Sequence, residues 1–151
     1  MEQFKHLDAR FSVLVIDLDH LKAVNDEFGT IAGDEVLRRV AQSIRGTLRD
    51  TDSLGRIGGE EFCVILPDAE AEAGLIVAER IRQRVQKIPM GDLLDGGKIT
   101  VSIGICPVRN QHSSFFDVMN EADQAVLVAK RAGRDAVHLS TDLAGASAMA
   151  A

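Results

Sequence analysis

The chain has 151 residues, 46% hydrophobic and 26% charged, the composition of one globular domain with a single core. A net charge of −6 argues against a general nucleic-acid binder, because phosphate backbones are held mainly by Lys and Arg. No apolar run approaches the roughly 20 residues of a membrane span, and Met1-Glu2-Gln3-Phe4-Lys5-His6 lacks a signal peptide's apolar region, so the cytoplasm is the expected compartment.

Residues 1–10 are polar and read as the end of a helix. Phe11 to Asp17 is a nearly continuous apolar run ending on an acid, the pattern of a central strand buried on both faces. The stretch from Leu18 to Gly29 reads as a polar segment. From Gly33 to Leu48 the apolar positions Val36, Leu37, Val40, Ala41, Ile44 and Leu48 have helical spacing. Two short strand-like runs, Ser53 to Ile57 and Phe62 to Leu66, flank Gly58-Gly59, which predicts a hairpin whose glycines take up positive φ. Asp68 is a capping residue for a helix carrying Leu75, Ala78, Ile81, Val85 and Ile88. Gly91 to Lys98 is a loop, and Ile99, Val101, Ile103 and Ile105 alternate with small polar residues as a strand does. Ser113 or Ser114 caps a last helix that ends at Gly133, and Ala136 to Leu139 is a final strand. Residues 1–140 form the domain, and 141–151 read as a loose tail.

The order strand, helix, strand, strand, helix, strand, followed by helix and strand, predicts an α+β, ferredoxin-like, palm-type fold with a mostly antiparallel five-stranded sheet. In that topology the first and third strands are central and antiparallel. The end of one, Asp17, then lies beside the start of the other, Glu60 and Glu61. Converging carboxylates suit a hard divalent cation such as Mg²⁺, which takes one or two carboxylates together with substrate phosphates. The structural alternative is a strand-ending acid and two solvated turn residues. Cys63 and Cys106 read as reduced core thiols, and with no nearby His pair they make no zinc motif. His6, His20, His112 and His138 form no ligand pair, and Ser102 has no partners for a hydrolytic triad.

Gly58-Gly59-Glu60-Glu61-Phe62 resembles the GGEEF form of the signature of the GGDEF family, the diguanylate cyclases. The run from Asp17 to Asp34 is similar to that family's D-hydrophobic-D-x-F-K-x-x-N-D-x-x-G-H-x-x-G-D segment, and Asp123 to Asp135 to its D-x-A-L-Y-x-A-K-x-x-G-R-N helix end. The resemblance implies that Asp17, the Leu18 carbonyl and Glu60 ligate two Mg²⁺ or Mn²⁺ ions per site. It makes Glu60, beside Glu61, the group that activates the ribose 3′-hydroxyl. Asn25 and Asp34 then read guanine, Lys22, Gly58 and Gly59 line the substrate site, and Lys130 and Arg134 hold the triphosphate. Arg49-Asp50-Thr51-Asp52 matches an R-x-x-D inhibitory site for the product, cyclic di-GMP, with Arg80 as a second arginine.

The implied reaction joins two GTP molecules into cyclic di-GMP and two pyrophosphates across a homodimer, one GTP per domain. The isolated domain offers no heptad helix to hold such a dimer, so the dimer is expected to be transient and an upstream sensory or regulatory domain to accompany it. The family's opening D-x-L-T-G-L-x-N-R segment has no counterpart here, and Leu21, Thr30, Leu127 and Asp135 depart from its usual Phe, His, Tyr and Asn. These departures motivate a second expectation, a non-catalytic module that binds GTP or cyclic di-GMP as a receptor. A third, a palm-type cyclase for another base, is disfavoured by Asn25 with Asp34.

Overall fold

The computed structural model describes residues 10–109 and 112–140; the polar start at 1–9 and the tail from 141 lie outside them. In chain order the elements are β1 (Phe11–Leu18), α1 (Leu21–Phe28), α2 (Thr30–Thr47), β2 (Ser53–Arg56), β3 (Glu61–Pro67), α3 (Ala71–Gln86), β4 (Val101–Pro107), α4 (Phe115–Arg131) and β5 (Ala136–Leu139). The strands form one sheet in the order β2-β3-β1-β4-β5. The pairs β2–β3, β3–β1 and β1–β4 are antiparallel, and β4–β5 is parallel. This is the predicted ferredoxin-like order with one further strand added beside β4.

The alternation of β1 explains its unbroken apolar run. Leu14, Ile16 and Leu18 point into a core shared with β3, β4 and helices α1 to α3. Val13 and Val15 point the other way, against Cys63, Cys106 and the Val118–Ala122–Val126 stripe of α4. Three helices therefore cover one face of the sheet and α4 covers the other. The close seat of α4 depends on Gly104, where a Cβ would come within 2.2 Å of the Ala122 carbonyl oxygen.

Several local expectations are corrected. The polar segment after β1 is a helix, α1: His20 enters it with a left-handed backbone (φ 61°), and Leu21 and Val24 bury its inner face. Asp68 does not cap α3. It takes φ 54° in the turn after β3, and Glu70 stands at the helix start, with no capping hydrogen bond from its side chain. Gly58 and Gly59 are absent from the positive-φ residues; the 57–61 turn closes instead through Ile57 N–H donating to the Glu61 carbonyl at 3.0 Å. The strand expected to begin at Ile99 begins at Val101. Ser114 caps α4, its hydroxyl accepting from Asp117 N–H at 3.2 Å, and β5 spans Ala136–Leu139 as read from the sequence.

Candidate functional site

The antiparallel register of β1 on β3 places Asp17 opposite Glu61, two residues beyond the Val15–Cys63 pair and on the same, α4-facing side of the sheet. The preceding residue, Glu60, is fixed through its backbone, whose carbonyl accepts from Leu18 N–H at 3.0 Å. From α4, Lys130 Nζ reaches to 3.0 Å from Asp17 Oδ1. The ion pair is off the hydrogen-bond line, so this buried oxygen has a neighbouring charge but no aligned donor.

Burial drives the Asp17 carboxyl above the ordinary aspartate range, against the pull of Lys130, with Glu60 and Asp19 adding repulsion. Burial likewise raises Glu61, with Asp17 and Asp123 reinforcing it and Lys130 opposing, and burial raises Asp123. Acids from β1, β3 and α4 are thus crowded around one lysine. Such a site favours added positive charge.

Beside this cluster an open cleft of about 510 Å³ is lined by Leu21, Lys22, Asn25, Asp34, Leu37, Arg56, Gly59, Glu60 and Glu61. Six of these were singled out in the sequence: Lys22, Asn25, Asp34, Gly59, Glu60 and Glu61. They converge because α1 and α2 fold back on one another through Gly29 (φ 92°). At the crossing, the Asn25 amide lies over Gly33, where a Cβ would come within 1.7 Å of Asn25 Oδ1. Only glycine lets Asn25 keep this position facing Asp34's turn of helix. Asp17, Leu18, Gly58, Lys130 and Arg134 do not line the cleft. Arg134 sits in the left-handed turn after α4 with φ 66°.

Two residues that the sequence did not single out hold the site together. Arg56 donates to the carbonyls of Gly58 (3.1 Å) and Gly59 (2.7 Å), bracing the glycine turn from within the cleft wall. Asp19, fully buried, accepts from Thr100 Oγ1 (2.7 Å), Ser102 Oγ (2.7 Å) and Asp135 N–H (3.0 Å), tying the end of β1 to β4 and to the turn carrying Arg134. A three-donor carboxylate was hinted at only by its place two residues after Asp17.

At the other end of α2, Arg49 grips Asp52 through Nε and Nη2 and donates to the Pro67 carbonyl at 2.8 Å. Nη1 takes no partner among the described residues. Arg80 lines a separate cleft with Leu75, Ile76, Glu79, Gln83 and Val137, whose lining includes neither Arg49 nor Asp52.

Residues 1–136 match the family model described as diguanylate cyclase, GGDEF domain. Diguanylate cyclase DgcP of Pseudomonas aeruginosa is 41% identical over 126 residues, covering 83% of this chain and 19% of that protein. Diguanylate cyclase A of Treponema denticola is 41% identical over 131 residues, covering 85% and 35%. This chain therefore spans well under half the length of either relative. Among solved structures, the GGDEF domain of DgcB from Caulobacter crescentus, in complex with c-di-GMP, superposes with a TM-score of 0.85 at 32% identity over 93% of this chain and 83% of that one. The active GGEEF domain of a diguanylate cyclase from Vibrio cholerae gives 0.85 at 32% identity, over 92% and 88%. With a palm-type sheet, acids meeting at the β1–β3 edge and this likeness over most of its length, the chain belongs to the GGDEF family of diguanylate cyclase domains.

Proposed function

We propose that residues 1–140 act as a diguanylate cyclase domain in the cytoplasm. Two GTP molecules are joined, each 3′-oxygen attacking the other's α-phosphate, and two pyrophosphates leave. The observation that carries this reading is the meeting of Asp17, Glu61 and Lys130 at the β1–β3 edge, beside a cleft lined by Glu60, Glu61, Asn25 and Asp34.

In this reading Asn25 and Asp34 recognise the guanine edge, an amide serving as donor or acceptor and a carboxylate accepting from ring N–H groups. Lys22 and the bare backbone of Gly58 and Gly59 admit the phosphates. Glu60 takes the proton of the 3′-hydroxyl, with Glu61 beside it. Lys130 turns from Asp17 to the triphosphate, and Arg134 joins it. The donor set fits Mg²⁺ or Mn²⁺: Asp17 Oδ1 is a buried oxygen without an aligned donor, and Glu60 and the Leu18 carbonyl complete a hard oxygen set for two ions. When bound, such ions polarise the phosphoryl oxygens and favour the ionised 3′-oxygen. Arg49 and Asp52, with Arg80, form the product-inhibition site.

The test is incubation of concentrated protein with GTP and Mg²⁺, and identification of the products. Cyclic di-GMP should form, and Glu60→Gln, which keeps shape and removes charge, should lower the rate at least about 10²-fold. Equal turnover by the variant refutes the assignment. The exposed Thr30 and Leu127, at positions where the family has His and Tyr, favour a second reading as a non-catalytic receptor. That reading predicts calorimetric binding of GTP or cyclic di-GMP with no product. Under either reading Arg49→Ala should weaken cyclic di-GMP binding about tenfold or more, since it removes a guanidinium able to contact phosphate or guanine bidentately. Unchanged affinity would remove the inhibitory site.

A further inference from the structure

At the far end of β4, roughly 13 Å along the sheet from Asp17, three side chains converge that the proposed reaction does not use. Cys106 Sγ lies 3.2 Å from Glu121 Oε2 and 3.6 Å from His112 Nε2, and His112 Nε2 lies 3.1 Å from Glu121 Oε1. The ligand atoms of these three residues are mutually within 4.8 Å, the one such His/Cys/Asp/Glu group among the described residues. The sequence conceals it. Positions 106, 112 and 121 follow no zinc-ligand spacing, and they meet only because the chain after β4 turns back and α4 packs across the sheet.

We propose that Cys106, His112 and Glu121 form a binding site for a borderline divalent transition metal of the Zn²⁺ class. A tetrahedral ion with Zn–S near 2.3 Å and Zn–N or Zn–O near 2.0–2.2 Å holds its ligand atoms about 3.3–3.6 Å apart. The Sγ–Nε2 separation of 3.6 Å already matches, and the two Glu121 oxygens approach one partner each, at 3.1 and 3.2 Å, so a small rotation of the carboxylate presents one oxygen to an ion held by the other two ligands. Thiolate, imidazole and carboxylate together select Zn²⁺ or Co²⁺ over Mg²⁺. Cys106 and His112 are buried and Glu121 is part-exposed, so the Glu121 side gives the ion its entry and its fourth position.

The surrounding charges act on the ligands' protonation. Arg109 Nη2 is buried with no hydrogen-bond partner, and its charge favours the anionic forms of Cys106 and Glu121. Among the described residues Asp117 and Ser140 also lie near the trio. Burial, with Glu121 second, pushes the Cys106 thiol up to about 12, so an incoming ion displaces its proton to solvent. Arg109 N–H donates to His112 Nδ1 at 2.9 Å, which puts the ring proton on Nε2. On binding, that proton moves to Nδ1, and Arg109 N–H gives up this hydrogen bond. One proton is released in all, from sulfur.

Titration of the full chain with Co²⁺ tests the site. A thiolate-to-metal charge-transfer band in the near ultraviolet should saturate at one ion per chain and be removed by Zn²⁺. Apparent affinity should rise about tenfold per pH unit, following the single proton. Cys106→Ser should abolish the band, Glu121→Gln should weaken binding about tenfold or more, and Cys63→Ser should leave the band intact. Absence of the band in the native chain, or its survival in Cys106→Ser, overturns the proposal. Because the native chain alone can fail the test, poor folding of a variant does not shelter it.

Discussion

Asp17 carries opposing demands. Its carboxylate is taken from water at the end of β1, and the repulsion of Glu60 and Asp19 adds to that cost, while Lys130 recovers part of it. A carboxyl whose folded-state affinity for protons is raised binds more protons folded than unfolded. Its contribution to stability is therefore fully present below the ordinary aspartate range and falls as pH rises through the folded-state value. Asp17→Asn removes the penalty. The variant should be more stable than the parent at pH 7, and the gain should vanish on acidification below the ordinary aspartate range. The same variant should form no cyclic di-GMP. Thermal melts from pH 3 to 8 alongside a turnover assay check both. A variant less stable than the parent at pH 7 would mean that the Lys130 pair outweighs burial. Function and stability would then pull the same way at this residue, contrary to the common trade-off at active sites.

At the scale of elements, the cleft depends on how closely α1 and α2 cross. The Asn25 amide occupies the space a side chain at position 33 would need, so Gly33→Ala must push Asn25 aside. Alanine is the better helix former, so α2 itself should be unharmed. The expected result is an unchanged circular dichroism spectrum with the KM for GTP raised about 10- to 100-fold, as small misplacements of positioning groups produce. A KM within twofold of the parent would show that Asn25 does not position the base.

This crossing also shows what the sequence could and could not reveal. The long elements were legible, because the 3.6-residue spacing in α2 and α3 and the two-sided burial of β1 leave strong apolar patterns. Helix α1 was not, since an eight-residue helix with Leu21 and Val24 as its buried residues leaves almost no period. The Gly58-Gly59 pair marks the turn in the sequence but not its backbone, which has no positive φ at either glycine. Its glycines serve open approach, and Arg56, three-dimensional in its effect, closes the turn. Within the site, residues inside contiguous motifs could be named from the chain alone. Asp19's three donors come from β4, from the residue just before it and from the turn before β5, and no local pattern encodes such a meeting.

For the whole molecule, the proposed function rests on one cleft per chain that carries one Asn25–Asp34 pair and one Glu60–Glu61 edge, which in that reading serves one guanosine nucleotide. Joining two GTP molecules head to tail then requires two such clefts facing one another. The chain carries a net charge of −6, so two copies repel weakly, and at low ionic strength that repulsion is screened least. Turnover per mole of protein should therefore rise with protein concentration, and the total rate should approach a second-power dependence while dimers are scarce. Added salt should strengthen encounter at fixed concentration. Fusion to a dimeric parallel coiled coil should remove the concentration dependence by making the second binding event intramolecular, with effective concentrations in the millimolar range. Steady-state rates across a hundredfold range of protein, with and without the fusion, distinguish the cases. A rate strictly linear in unfused protein, from a chain that sedimentation shows to be monomeric over the same range, would place both nucleotides on one chain, and the facing-cleft mechanism would have to be abandoned even if cyclic di-GMP is the product.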